Sequence, residues 1–183
     1  MSFRKLIKFS FLLALVAFFA TSSQAQDDKS KRKSPPMETT GMVGDATVTI
    51  NYSAPSVNGR KVFGDLVPYN KTWRSGANEA TVFEVSKNVM VEGQELPAGK
   101  YGFFTIPGED KWTIIFNSVW DQWGDYNYDK SKDVLRVEVM PKKLDEPVEQ
   151  MKFAISEKDG KSWVALKWAD TKAAFSVAPV ASN

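Results

Sequence analysis

Residues 151–168, MKFAISEKDGKSWVALKW, carry two apolar–polar alternations on either side of one turn. Met151, Phe153 and Ile155 alternate with Lys152 and Ala154, and Val164, Leu166 and Trp168 alternate with Ala165 and Lys167. A period of two with one apolar side describes a strand that buries one face. Between them stands Asp159-Gly160, a pair suited to the positive φ angles of a two-residue hairpin turn. The stretch therefore predicts an antiparallel hairpin lying on a core.

The same rule recurs on either side. Val48, Ile50 and Tyr52 alternate with Thr47, Thr49 and Asn51; Trp112, Ile114 and Phe116 with Thr113 and Ile115; Leu135, Val137 and Val139 with Arg136 and Glu138; Phe175 and Val177 continue the pattern. Glu92-Gly93, Pro97-Ala98-Gly99 and Pro107-Gly108 punctuate the middle. No long amphipathic segment intervenes to make a parallel crossover. The expected fold is all-β, an antiparallel β-sandwich, with a closed β-barrel as the alternative. Short helical turns are expected near 64–72 and 121–132.

The N-terminus reads as a targeting segment. Arg4, Lys5 and Lys8 precede an apolar run from Phe9 to Ala20, and Ser23-Gln24-Ala25 offers the small residues of a cleavage site. The run is shorter than the roughly 20 residues that cross a bilayer. Residues 1–25 are expected to be a cleaved signal peptide, residues 26–36 a polar flexible linker, and residues 37–183 one β-sandwich domain. Lys29, Lys31, Arg32 and Lys33 in the linker are read as a solvated tail, with contact to an anionic surface as the functional alternative. The 183 residues hold 24 basic and 22 acidic side chains. Losing Arg4, Lys5 and Lys8 leaves 21 against 22, or −1, so a basic surface for nucleic acid is not expected. The expected location is the periplasm or the exterior, with no membrane span after cleavage.

Composition narrows the chemistry. There is no Cys and no His. A disulfide framework, a thiol nucleophile, a Ser-His-Asp triad and an imidazole metal site are all excluded. No cofactor and no metal ligand set is read from the sequence. Asp121, Asp125 and Asp129 recur every four residues, whereas calcium loops place oxygens at every second position.

Two segments depart from the strand pattern. Residues 51–81 concentrate Gly, Pro, Asn, Arg and Trp, and long irregular stretches in a compact domain often carry function. Arg60, Trp73, Arg74, Asn78 and Glu79 combine a guanidinium fork, a carboxamide, a carboxylate and an indole, a set able to hold a polar ligand. The structural alternative pairs Arg60 or Arg74 with Glu79 or Asp65, makes Trp73 a core plug and lets Asn78 shape a turn. Residues 119–129, VWDQWGDYNYD, interleave aromatics and carboxylates, and Trp120 and Trp123 join the candidate ligand-binding set. Their structural alternative is a cover over an open end of the sandwich.

The runs Tyr52-Ser53-Ala54-Pro55, Gly59-Arg60, Phe63-Gly64, Trp73-Arg74-Ser75-Gly76-Ala77-Asn78-Glu79-Ala80-Thr81 and Pro97-Ala98-Gly99-Lys100-Tyr101 resemble a secreted bacterial family, domain of unknown function 2911. Ser75 stands where that family commonly has Thr and keeps the hydroxyl. The resemblance extends over most of residues 37–180. It implies an exported, all-β, Bacteroidetes-type protein and no established activity.

The functional expectation is a non-enzymatic binding module of the cell envelope for a small polar or saccharide ligand. A structural or interaction protein that takes an envelope partner is the alternative. Third comes a hydrolase pairing Glu79 with Asp121, Asp125 or Asp129, which needs carboxyl groups about 5.5 Å or about 6.5–9.5 Å apart. No catalytic residue is assigned.

Overall fold

The computed structural model describes residues 28–180. The expected signal peptide and the last three residues lie outside that range. Ten strands form two antiparallel sheets. They are β1 (Pro36–Val43), β2 (Ala46–Ser53), β3 (Thr81–Val85), β4 (Val89–Val91), β5 (Gln94–Leu96), β6 (Gly99–Ile106), β7 (Trp112–Asn117), β8 (Asp133–Val139), β9 (Lys142–Lys158) and β10 (Lys161–Pro179). One sheet runs β1-β2-β3-β6-β7-β8 and the other β5-β4-β10-β9. This is the expected sandwich. The sheets stay open at their edges, so the barrel alternative is set aside.

The hairpin that predicted the fold is its longest element. Asp159 and Gly160 take φ of 53° and 70°, the left-handed turn that the Asp-Gly pair favours. Val164, Leu166 and Trp168 point into the core with Met151 and Phe153. Phe83, Phe103, Phe116 and Phe175 pack at its centre, the last three mutually within 5.9 Å between ring centroids. The runs read as separate strands around 164–168 and 175–177 are one strand. It bends at Ala169, pairing first with β9 and then with β4.

One face of the six-stranded sheet carries a second small core. Ile115 and Phe104, which face away from the main core, are fully buried with Ala80, and Tyr128 packs on Phe104 at 5.0 Å. The 118–129 segment supplies that cover. Gly102 lets it approach: a Cβ there would meet the Val119 carbonyl oxygen at 2.6 Å. Of the aromatics of 119–129, Tyr128 thus covers a sheet face, where an open sandwich end was the structural expectation, while Trp120, Trp123 and Tyr126 stay largely outside that small core.

A short 3-10 turn forms at Lys130–Lys132, inside the expected 121–132 region, and another at Lys29–Lys31. No helical turn forms at 64–72. Gly64 and Asn70 take φ of 83° and 60°, outside helical space, and Pro68 lacks the donor a helix needs. The segment is instead a tight turn closed by a Phe63–Val67 bridge.

Candidate functional site

The WRSGANEAT run is folded on itself before it offers anything to solvent. Trp73 pairs through its backbone with Thr105 of β6, at 2.8 and 2.9 Å. Its ring stacks on Trp168, 5.9 Å away, and meets Phe63 edge-on. Its indole N–H donates to the Gly76 carbonyl at 3.2 Å. Trp73 is thus a core plug, as the structural alternative had it. Ser75 and Asn78 take φ of 54° and 57°. The buried Ser75 hydroxyl bonds Thr105, and the Thr81 hydroxyl donates to the Ser75 carbonyl at 2.9 Å. Gly76 is required for space: a Cβ would lie 2.9 Å from the Thr81 hydroxyl oxygen.

Among the described residues neither Arg60 nor Arg74 forms an ion pair with Glu79 or Asp65. Arg32 grips both of its carboxylate oxygens, at 2.9 and 2.8 Å, and Lys29 adds a contact at 2.9 Å. Asn78 donates to the Ser34 carbonyl at 3.2 Å. The described part of the expected linker is therefore strapped onto the motif. The Arg32 guanidinium also lies 5.8 Å from the Trp123 ring centroid, a cation–π contact. The 118–129 segment closes the other side: Glu79 bridges Trp123, and Gly124 donates to the Asn78 carbonyl at 3.1 Å. Burial by itself pushes the Glu79 carboxyl up, but hydrogen bonds from Lys29, Arg32 and its own backbone, with the Lys29 charge, hold it at about 2. A carboxyl so held stays ionised at neutral pH and cannot serve as a general acid there.

Of the seven candidate residues, the fold brings Asn78, Glu79 and Trp123 together. Trp120 is half-exposed beneath the Lys100 ammonium, 4.8 Å from its ring centroid. Arg74 is partly buried, and its Nε is enclosed with no hydrogen-bond partner among the described residues. Arg60 is exposed elsewhere, donating to the Val57 and Ser56 carbonyls at 2.9 and 2.6 Å. Trp73 is in the core. The seven do not converge on one concave surface.

Arg60 instead lines a groove of about 550 Å³ between the 57–69 segment and the bent β9–β10 pair. Val57, Phe63 and Tyr69 form its apolar side, while Arg60, Glu149 and Asp170 place both signs of charge around it. The groove owes its shape to a break in the ladder. Ala169 pairs with Val148 and Thr171 with Lys143, so β9 inserts extra residues, including Pro147, which lacks a ladder donor. Ala169 takes φ of 51°, a strained angle for a residue with a Cβ. A hollow of about 180 Å³ adjoins it, sharing Phe63, Tyr69, Asp170 and Thr171.

Sequence reading missed Arg32 as the partner of Glu79, because a basic residue in a polar stretch looks solvated. It also missed Glu149 and Asp170, which only a ladder break places beside Arg60. The signal that existed was Pro147 inside a strand-like run. Among the described residues, no three Asp or Glu side chains gather into a metal-sized cluster. No helix among them is long and apolar enough to cross a membrane.

No curated protein and no solved structure matches the chain. A family model described as a protein of unknown function, DUF2911, matches residues 34–177, and the chain belongs to that family.

Proposed function

We propose that this protein is an exported, non-enzymatic binding module of the cell envelope, periplasmic or secreted, for a small polar or saccharide ligand. The groove beside Arg60 is where the ligand sits. What supports this is the groove itself: about 550 Å³, with an apolar side and a few charged groups of both signs. Small-ligand sites pair such walls with placed polar groups in volumes of roughly 300–1,000 Å³. Arg60 offers a donor fork, and Glu149 and Asp170 accept hydroxyl hydrogen bonds. The strained Ala169 on the groove wall is the kind of outlier that persists at binding sites.

The test is a thermal-shift screen of sugars, amino acids and muropeptides on the protein and on Arg60→Ala/Asp170→Ala. A native-state ligand raises the melting temperature. The expected result is a compound that stabilises the protein and leaves the double variant unmoved. A compound that stabilises both equally would place binding elsewhere.

The second reading, an interaction protein, rests on one observation. Trp120, Trp123 and Tyr126 on one segment are 40%, 54% and 82% exposed. Aromatics so placed are common in protein contacts.

A further inference from the structure

The outer face of the β9–β10 hairpin carries an arrangement that stability alone disfavours. Register places Lys161 opposite Lys158, Lys167 opposite Lys152 and, past the bend, Lys172 opposite Lys142. Neighbours of these residues, Met151, Phe153, Leu166, Trp168 and Ala173, lie in the main core, so the lysines of the three pairs share the opposite face. Like charges directly opposite on a sheet destabilise it. None of the six lysines makes an ion pair with a carboxylate among the described residues. Elsewhere Lys87, Lys100 and Lys111 each meet a carboxylate.

The face between the lysine pairs is hollow. Ala165 stands opposite Ala154, and Trp163 opposite Ser156. These small residues and Ala174 floor a concavity of about 420 Å³, with Trp163 and Met140 beside it and Lys142, Lys158, Lys161, Lys167 and Lys172 around it. Among the described residues, Asp159 is the one acid on its lining. The first two lysine pairs stand six residues apart, about 20 Å along the strands.

We infer that this face binds a segment of an acidic oligosaccharide, a chain of sugar rings bearing carboxylates at intervals. Spaced ammonium groups match spaced anions by charge, without the bidentate geometry that arginine would impose. The indole offers a flat face for a sugar ring, and the Ser156 hydroxyl offers a hydrogen-bond partner. A bilayer is flat and does not enter a hollow. Nucleic acid calls for a strongly basic domain, whereas the 183-residue chain carries +2. The site is separate from the groove beside Arg60, and it stands whether or not that groove binds a ligand.

The experiment is isothermal titration of the purified protein with hexagalacturonate, with maltohexaose as the uncharged control. It is run on the parent, on Lys152→Gln/Lys167→Gln and on Trp163→Ala, with thermal melts of each. The expected result is binding of the acidic oligomer alone, weakening as salt rises. The lysine variant should bind about tenfold or more weakly while melting no lower than the parent, since it loses a repulsive pair. Trp163→Ala should also weaken binding. Absence of binding to hexagalacturonate, or equal affinity in the lysine variant, overturns the inference. So does equal binding of maltohexaose, or binding to phosphatidylglycerol vesicles with none to the oligomer.

Discussion

Arg32 and Glu79 lie 47 positions apart, yet the Arg32 guanidinium contacts both oxygens of the Glu79 carboxylate, at 2.9 and 2.8 Å. The pair joins the polar N-terminal strap to the loop that the family motif builds. Arg32 keeps 17% of its side-chain surface exposed and Glu79 36%, so the pair lies between a buried ion pair and a surface one.

Arg32→Ala should cost about 1–2 kcal/mol, between the small value of surface pairs and the large cost of stranding a buried charge. Glu79→Gln should cost about 1 kcal/mol once solvent screening is allowed for. The folded carboxyl titrates at about 2 against an ordinary 4.5. Its contribution is therefore fully present above pH 4.5 and is lost as pH falls toward 2. Urea melts of the parent should weaken across that window, and those of Glu79→Gln should weaken less. A variant with parent-like stability would show that the strap holds nothing.

Trp73→Ala should cost about 3–5 kcal/mol, the range for emptying an aromatic site in a core. Trp73 is 7% exposed, and its ring packs against Trp168 and Phe63. A loss below about 1 kcal/mol in chemical denaturation would return Trp73 to the ligand-facing residues.

Ala169→Gly should raise stability by about 0.5–1 kcal/mol despite losing a methyl group. At φ 51°, glycine relieves a strain that alanine bears. If the strain shapes the groove, the same change should weaken any ligand found by the thermal-shift screen. A drop in melting temperature would show that the Ala169 methyl matters more than the backbone angle.

Tyr128 donates to Asp133 at 2.7 Å and accepts from Arg136 at 2.6 Å. Burial, followed by the Asp133 carboxylate, pushes its phenol up to about 12, against the opposing pull of Arg136. A raised folded value means the contribution is full below pH 10 and is lost as pH climbs toward 12. Tyr128→Phe should cost about 1–2 kcal/mol near neutrality and flatten that alkaline loss. Ultraviolet titration of the phenols checks the value, and a midpoint near 10 for every tyrosine would refute it.

Strand existence was legible wherever one face met the core and the other met water. Met151, Phe153, Ile155, Val164, Leu166 and Trp168 show it, and Asp159-Gly160 even named its turn type. β6 was not legible, because Tyr101 and Phe103 face one core while Phe104 faces the second, which erases alternation. Ile115 falls on the polar side of the sequence pattern for the same reason.

The candidate residues divide along the same line. Residue chemistry singled out Arg60, Trp73, Arg74, Asn78, Glu79, Trp120 and Trp123, but a single chain of letters holds no partner list. Period, turn chemistry and composition, which act over a few neighbouring residues, determined the two-sheet architecture and the absence of thiol and imidazole chemistry. Tertiary structure alone decided that Glu79 is claimed by Arg32, that Trp73 belongs to the core, and that a ladder break opens beside Arg60. Those outcomes depend on contacts between segments tens of residues apart, which form only once the sheets have packed.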